Sequence, residues 1–278
     1  MLISIIIPTY NEEKLIGRCL ASLQKQLIDS RDELEVIVID DGSTDSTIDK
    51  IKHFNFVKLL HQSHLGTALA RNQGAKLAKG EILVFVDADM EFDERFIKYL
   101  VKPIKLEVVK GTSSKEEFVA NWNNSLARCW NWNQNLPAKR RHQSNEPDTG
   151  QDFRALLATE FHRVSGFDNI GYTDTWTLAT KLGYQPQHAP DAIFYHHNPD
   201  TFGEVFHQAK WSSKRAYKLG SVGYLAALAR VSVPVSLAIG LYKSLKHREP
   251  VFLPFKLTYD LGQAIGILEM VILSKKTK

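Results

Sequence analysis

The chain has 278 residues, 24% of them charged and 44% hydrophobic, with a formal net charge of +4. That length can bury one large core plus an appendage, and the modest charge with no compact basic stripe excludes nucleic acid as the expected partner. Two cysteines, Cys19 and Cys129, give no disulfide framework and suit a reducing cytoplasm.

Residues 2–7 form a continuous apolar run that reads as a strand buried on both faces. Met1 leads directly into it, so no signal peptide is expected. Pro8 stops the run, and Thr9-Tyr10-Asn11-Glu12-Glu13 follows. A helix is expected from near Glu12, with Leu15, Ile16, Cys19, Leu20 and Leu23 at helical spacing. A second buried strand, residues 34–39, runs into Asp40-Asp41-Gly42-Ser43-Thr44-Asp45. Gly42 permits a tight turn there, and Ser43, Thr44 or Asp45 can cap the next helix; capping is the preferred role for Asp45. A third short strand, residues 57–60, leads through His61 to Gly66 into a helix carrying Arg71. Residues 81–86 form the fourth strand, which ends abruptly in Asp87-Ala88-Asp89. This alternation predicts right-handed crossovers and a parallel sheet.

Ligands of open α/β sheets bind beyond the carboxyl ends of the strands. That edge collects Tyr10, Glu12, Asp40, Asp41, Arg71, Asp87 and Asp89. Two carboxylates held together there call for a hard divalent cation, Mg²⁺ or Mn²⁺, whose shell a ligand's phosphates would complete. The alternative is a solvated Asp-rich loop. Neither GxGxxG nor GxxxxGK[ST] is present, which weakens an NAD-type or P-loop reading. The pattern points instead to a nucleotide whose base and ribose are read by side chains and whose diphosphate is read through a metal.

The strings SIIIPTYNEEKLIGRCLASL, ELEVIVIDDGSTDST, GTALARNQGAKLAKGEILVFVDAD, VSGFDN and YTDTWTLATKLG carry a resemblance to the family-2 glycosyltransferases. It covers about residues 2–215 and is densest in the first 93. The resemblance implies an α/β, GT-A-type, Rossmann-like mixed sheet, mainly parallel and flanked by helices, with a C-terminal helical appendage. It implies a catalytic domain over 1–215, with a nucleotide-sugar half at 1–105 and an acceptor half at 106–215, before a helical segment at 216–278. It also implies a metal-dependent inverting transfer from a nucleotide-diphospho-sugar, UDP- or GDP-linked, to a glycan or lipid-linked acceptor. A non-catalytic sugar-nucleotide-binding or scaffold subunit is the alternative.

Residue by residue, the resemblance puts the segment from Pro8 to Glu12 along the nucleotide pocket, with Tyr10 against the base. Asp41, with Asp40, would accept hydrogen bonds from base or ribose. Arg71 would stand behind the pocket, tying down the aspartate loop. Asp89 would be the main metal ligand, with Asp87 touching ribose or metal-bound water. Asp174 matches the family's base, which takes the acceptor hydroxyl's proton; an N-cap is the alternative for it. Thr173 stands where the family usually has Glu. His196, after a short strand, would complete the metal shell, with a surface pair His196-His197 as the alternative. The segment Phe206 to Trp211 is similar to a polysaccharide-synthase signature but has altered spacing and Lys for Arg. It reads as an amphipathic helix whose Lys210, Lys214 and Arg215 face phosphates.

Trp122, Trp130 and Trp132 could stack on sugar or lipid, with packing expected for at least two, and residues 137–147 read as a mobile loop. Residues 221–242 contain only Arg230 as a charge, and residues 252–273 contain Lys256, Asp260 and Glu269. Two full spans would violate the positive-inside rule, so these segments read as amphipathic helices in peripheral contact with the inner leaflet. The protein is then expected in the cytoplasm, at the cytoplasmic face of the cell membrane. A soluble helical pair is the alternative, and Gly262 and Gly266 would permit close helix contact.

Overall fold

The computed structural model of the chain describes residues 1–143, 152–170, 174–214, 217 and 219–273. In chain order β1 (Leu2–Thr9), α1 (Ile16–Gln24), β2 (Glu33–Asp40), α2 (Thr47–Ile51), β3 (Val57–His61), α3 (Thr67–Leu77) and β4 (Ile82–Phe85) come first. Then follow β5 (Met90–Phe92), α4 (Phe96–Lys105), β6 (Gly111–Ser113), β7 (Glu117–Val119), α5 (Ser125–Asn133), β8 (Ala155–Leu157) and α6 (Ala158–Arg163). A 3-10 turn at Asp174–Trp176, α7 (Thr177–Leu182), β9 (Gln187–His188) and β10 (Phe194–His196) lead to four helices: α8 (Phe202–Ser213), α9 (Gly220–Arg230), α10 (Val233–His247) and α11 (Phe252–Leu273). Packing divides the chain into two compact units, one of residues 1–118 and 144–196, the other of 119–143 and 197–277. The boundary expected near residue 215 falls inside the second unit, because α8 packs on α11.

The first unit holds the sheet. Alternate residues of β1 face opposite sides, as the pleat requires. Ile3, Ile5 and Ile7 pack with Val36, Val38, Val84 and the α1 residues Ile16, Cys19, Leu20 and Leu23. Ile6 joins Leu83, Phe85 and the α3 residues Ala68 and Ala75 on the other side. Helices on both faces explain why β4 is wholly apolar and why β1 and β2 are almost so, with Ser4 and Glu35 hydrogen-bonded to each other. The strand order is β3-β2-β1-β4-β8-β6-β9. The pairs β1–β2, β1–β4, β2–β3 and β6–β9 are parallel, while β4–β8 and β8–β6 are antiparallel. This is the mixed, mainly parallel sheet that the sequence led us to expect. A second sheet, β5-β10-β7, lies beyond the end of β4.

Strand order reverses at β1, which has β2 on one side and β4 on the other. The crevice at such a reversal is where open α/β sheets take ligands. Thr9 sits opposite Asp40 and Ile6 opposite Phe85, so the loops after β1, β2 and β4 leave the sheet together. One boundary differs from expectation: α1 begins at Ile16 rather than near Glu12. Asn11 has φ 54°, a left-handed conformation that asparagine tolerates, and Glu12 O accepts the amides of Leu15 and Ile16 in a preceding turn.

In the second unit, α8 and α11 approach closely at two glycines. A Cβ on Gly262 would lie 2.5 Å from Phe206 O, and one on Gly266 would meet Lys210 O and Ser213 Oγ. Lys210 and Lys214 pair with Glu269 of α11 at 2.6 and 2.7 Å, so the two lysines are committed to a helix contact rather than turned to phosphates. Arg215 lies outside the described residues, as do residues 144–147 of the loop expected to be mobile. Trp130 packs edge-on against Phe255 and Tyr259, and Trp132 stacks on His247 with centroids 4.3 Å apart. Among the described residues no single helix is long and apolar enough to cross a membrane. The pair Gly220–Arg230 and Val233–His247 passes by length and composition together but bends by 52° between its members.

Candidate active site

The loop after β2 is built by its two acids. Asp40 is fully buried; its Oδ2 accepts the Gly42 and Ser43 amides and lies 2.7 Å from His61 Nδ1. Gly42 supplies the φ of +84° that this turn needs. Asp41 Oδ1 accepts Leu65 N at 2.8 Å and Gln62 Nε2 at 2.6 Å, and its Oδ2 accepts Gly66 N at 3.0 Å. His64 Nδ1 stands 2.9 Å from the same Oδ2. The sequence puts both acids beside a nucleotide; the structure commits both first to holding the loops after β2 and β3 in register. Asp40 Oδ1 has no donor among the described residues and is covered, so a ligand reaches it only if the turn opens.

The loop after β1 is pinned to that framework. Asn11 N donates to Ser43 Oγ while Asn11 Oδ1 accepts Thr44 N; Glu12 N donates to Thr47 Oγ1 and Glu13 N to Asp45 Oδ2. Asp45 Oδ1 accepts the Thr47 amide at the start of α2. Pro8 is buried within β1. Tyr10 is 42% exposed and stacks on His64, with centroids 4.1 Å apart and planes at 26°. An exposed aromatic pair over a fixed loop is a platform on which a planar base can stack.

Asp87 and Asp89 have different surroundings. Arg71 Nη2 lies 2.6 Å from Asp87 Oδ1 and Arg154 Nη1 3.2 Å from its Oδ2. Burial opposes the charge on Asp87, yet the two guanidiniums outweigh it and hold the carboxyl well below the usual range. Asp89 Oδ2 instead meets His196 Nε2 at 2.8 Å, and His196 Nδ1 meets Glu117 Oε1 at 2.8 Å. Burial first, then the charge of Asp89, pushes the neighbouring Glu12 carboxyl up to about 8. Asp89 thus faces an imidazole where Asp87 faces two guanidiniums.

These residues suit a divalent cation. A carboxylate oxygen and an imidazole nitrogen converge, and Glu117 fixes the ring with Nε2 forward, as outer partners of metal-binding histidines do. No cluster of three or more metal-binding side chains occurs among the described residues. Two protein ligands completed by phosphate oxygens are the arrangement that Mg²⁺ and Mn²⁺ commonly adopt.

The segment after β8 is tied to the same edge. Asn72 on α3 clamps Phe167 by both backbone groups, donating to its carbonyl and accepting its amide at 2.9 Å each. Arg71 lies over the Phe167 ring and Arg154 over that of Phe194, at 5.7 and 5.5 Å. Asp168 N donates to Thr177 Oγ1, which anchors the start of α7. Asp174 opens the 3-10 turn immediately before that helix. Its side chain, and Gly171, Tyr172 and Thr173 entirely, lie outside the described residues.

Three contributors have no signal in the sequence pattern. Arg154 is 67 residues from its partner Asp87, and Glu117 is 79 from His196. His64 lies in a loop whose polar residues look interchangeable until its stack on Tyr10 is seen.

The sequence matches the family described as Glycosyl transferase family 2 over residues 4–161. It is 42% identical over 93 residues to the uncharacterized glycosyltransferase YibD of Escherichia coli K12, covering 32% of this chain and 26% of that protein. It is 45% identical over 95 residues to the poly(ribitol-phosphate) beta-glucosyltransferase of Bacillus spizizenii, covering 32% and 15%. The match thus spans about a quarter or less of the length of these curated relatives. The fold is similar to that of Staphylococcus aureus TarS 1–349 in complex with UDP-GlcNAc, with TM-score 0.58 and 17% identity over 99% of this chain and 93% of that one. It is also similar to the mannosyltransferase PcManGT of Pyrobaculum calidifontis in complex with GDP-Man and Mn²⁺, with TM-score 0.56 and 18% identity over 94% and 86%. A family match over more than half of the chain, on a sheet with this order and this edge, makes the chain a member of glycosyl transferase family 2.

Proposed function

We propose that this protein transfers a sugar from a nucleotide-diphospho-sugar, UDP- or GDP-linked, to a glycan or lipid-linked acceptor, inverting the anomeric carbon with the help of Mn²⁺ or Mg²⁺. The observation that carries this reading is the line Asp89–His196–Glu117 at the sheet's switch point, beside an Asp87 already neutralised by two arginines. Family membership and structural neighbours in complex with UDP-GlcNAc, and with GDP-Man and Mn²⁺, support it.

In this reading Tyr10 and His64 stack on the base, and Asp41 keeps their loops in place. Asp87, held ionised by Arg71 and Arg154, accepts a hydrogen bond from the ribose. Asp89 and His196 would hold the cation, which when bound neutralises the charge growing on the departing nucleoside diphosphate. Asp174 takes the acceptor hydroxyl's proton as the new bond forms on the face opposite the leaving group. A single displacement of this kind, through a transition state of oxocarbenium character, inverts the sugar.

Thermal stability against UDP, GDP, TDP and CDP, each with and without Mn²⁺, tests the site. A ligand that binds only the folded state raises its melting temperature. The proposal expects a Mn²⁺-dependent rise with UDP or GDP. No rise with any of the four would contradict it and favour a non-catalytic subunit.

A further inference from the structure

Helix α10 is inverted. The residues it buries are Ser236, Gly240 and Lys243. The residues it exposes include Val233, Leu237, Leu241 and Leu245, with Leu245 at 80% exposure and Val233 at 65%. Helices of water-soluble proteins do the opposite. Those four positions recur every four residues, so their side chains form one continuous stripe. The helix before it, α9, buries none of its residues and adds exposed Val222 and Leu225.

The orientation is specified from within. Ser236 Oγ donates to Asp260 Oδ2 at 2.6 Å, and Lys256 Nζ donates to Asp260 Oδ1 at 2.8 Å. Lys243 Nζ donates to Trp132 O at 2.6 Å and Asn135 Oδ1 at 2.9 Å. Turning α10 to hide its leucines would break the Ser236–Asp260 bond and take the buried Lys243 ammonium away from Trp132 O and Asn135 Oδ1.

Charge identifies what covers the stripe. Residues 219–248 contain no Asp or Glu, and Arg230, Lys246 and Arg248 are exposed at the ends of α9 and α10. An aliphatic stripe bordered only by basic residues complements an anionic lipid surface. A protein partner would have to bring acids to meet the basic border, which an anionic bilayer supplies without a specific partner. Tyr242, with Lys246 Nζ 5.8 Å from its ring, sits at the basic end, where an amphipathic ring suits the headgroup level. One face of α10 packs on α11 and the helix breaks by 52° from α9, so only its leucine face can meet lipid and it lies in the interface rather than across it.

We propose that α9 and α10 seat the protein on an anionic bilayer, with Leu237, Leu241 and Leu245 at the acyl boundary and Arg230, Lys246 and Arg248 against the headgroup phosphates. None of these residues belongs to the candidate nucleotide site, so the proposal stands whether or not the proposed transfer does.

The test is flotation of the full chain with vesicles of phosphatidylcholine alone and of phosphatidylcholine with phosphatidylglycerol. The wild type is expected to float with the anionic vesicles and to be released as salt rises. The double variant Leu241→Glu, Leu245→Glu should lose binding, and Arg230→Glu with Lys246→Glu should weaken it by about 10-fold or more. All of these positions are exposed, so both variants should melt like the wild type and keep its nucleotide response. Should the leucine variant fail to fold, the charge variant and the salt dependence decide. Absence of wild-type binding, equal binding to uncharged vesicles, or unchanged binding by the variants would overturn the proposal. So would a dimer that forms without lipid and is lost in the leucine variant, since the stripe would then cover a second copy of the chain.

Discussion

Asp87 and Asp89 are two residues apart and have different partners. Asp87 is bound by Arg71 and Arg154, while Asp89 faces an imidazole whose far nitrogen is fixed by Glu117. If Glu117 orients that ring for a cation, Glu117→Gln should weaken Mn²⁺ affinity by about 10–100-fold, the effect typical of outer partners of metal-binding histidines. Mn²⁺ titration by electron paramagnetic resonance, with UDP or GDP present, measures this; unchanged affinity would remove Glu117 from the site. Asp174→Asn should leave nucleotide binding intact while turnover collapses, which single-turnover kinetics and a binding titration together would show. At this scale the two carboxylates were legible because they end an apolar run. Arg154 and Glu117 were not, because each lies in or next to a short strand and meets its partner only through the sheet. Asp40 and Asp41 were visible as acids at the edge. That three of their four oxygens are taken by backbone amides depends on the paths of two loops, which no local pattern encodes.

Among the elements, α11 depends on its glycines more than its composition suggests. Gly266 sits against Lys210 O and Ser213 Oγ of α8, backbone and short side chain, neither of which yields easily. Gly266→Ala should destabilise the second unit by about 1–3 kcal/mol through overpacking, measured by chemical denaturation of the full chain. A stability within about 0.5 kcal/mol of wild type would mean that the two helices can part at little cost. The same residues explain what the sequence could reveal about these helices. Gly262 and Gly266, four apart, signalled a close contact, but not which helix would be met. Lys210 and Lys214 looked like phosphate ligands, and their pairing with Glu269 follows only from the contact those glycines allow. The central strands were plain from their largely apolar runs, whereas β6, β8 and β9, two or three residues each, carry too few positions for any periodicity to show.

For the whole molecule, Glu160, next to β8, is one contributor to acid stability. Hydrogen bonds from Lys110 and Arg163, with a smaller contribution from Tyr184, lower its carboxyl from 4.5 to about 2. The folded state therefore favours the ionised form more than the unfolded chain does. That contribution is fully present above pH 4.5 and is lost as pH falls from there toward 2. Glu160→Gln should flatten the loss of stability over this window, as read from melting temperature against pH; an unchanged slope would assign acid sensitivity to other carboxylates. The central claim concerns the sheet edge, where one cation is proposed to join Asp89, His196 and a nucleoside diphosphate. Calorimetric titration of UDP and GDP into wild type and Asp89→Asn, with Mn²⁺ and again with the metal chelated, tests it most directly. The account predicts that wild type binds one of the two nucleotides tightly with Mn²⁺ and at least about 10-fold more weakly without it, while Asp89→Asn binds weakly in both conditions. Equal Mn²⁺-dependent binding by wild type and Asp89→Asn would contradict it.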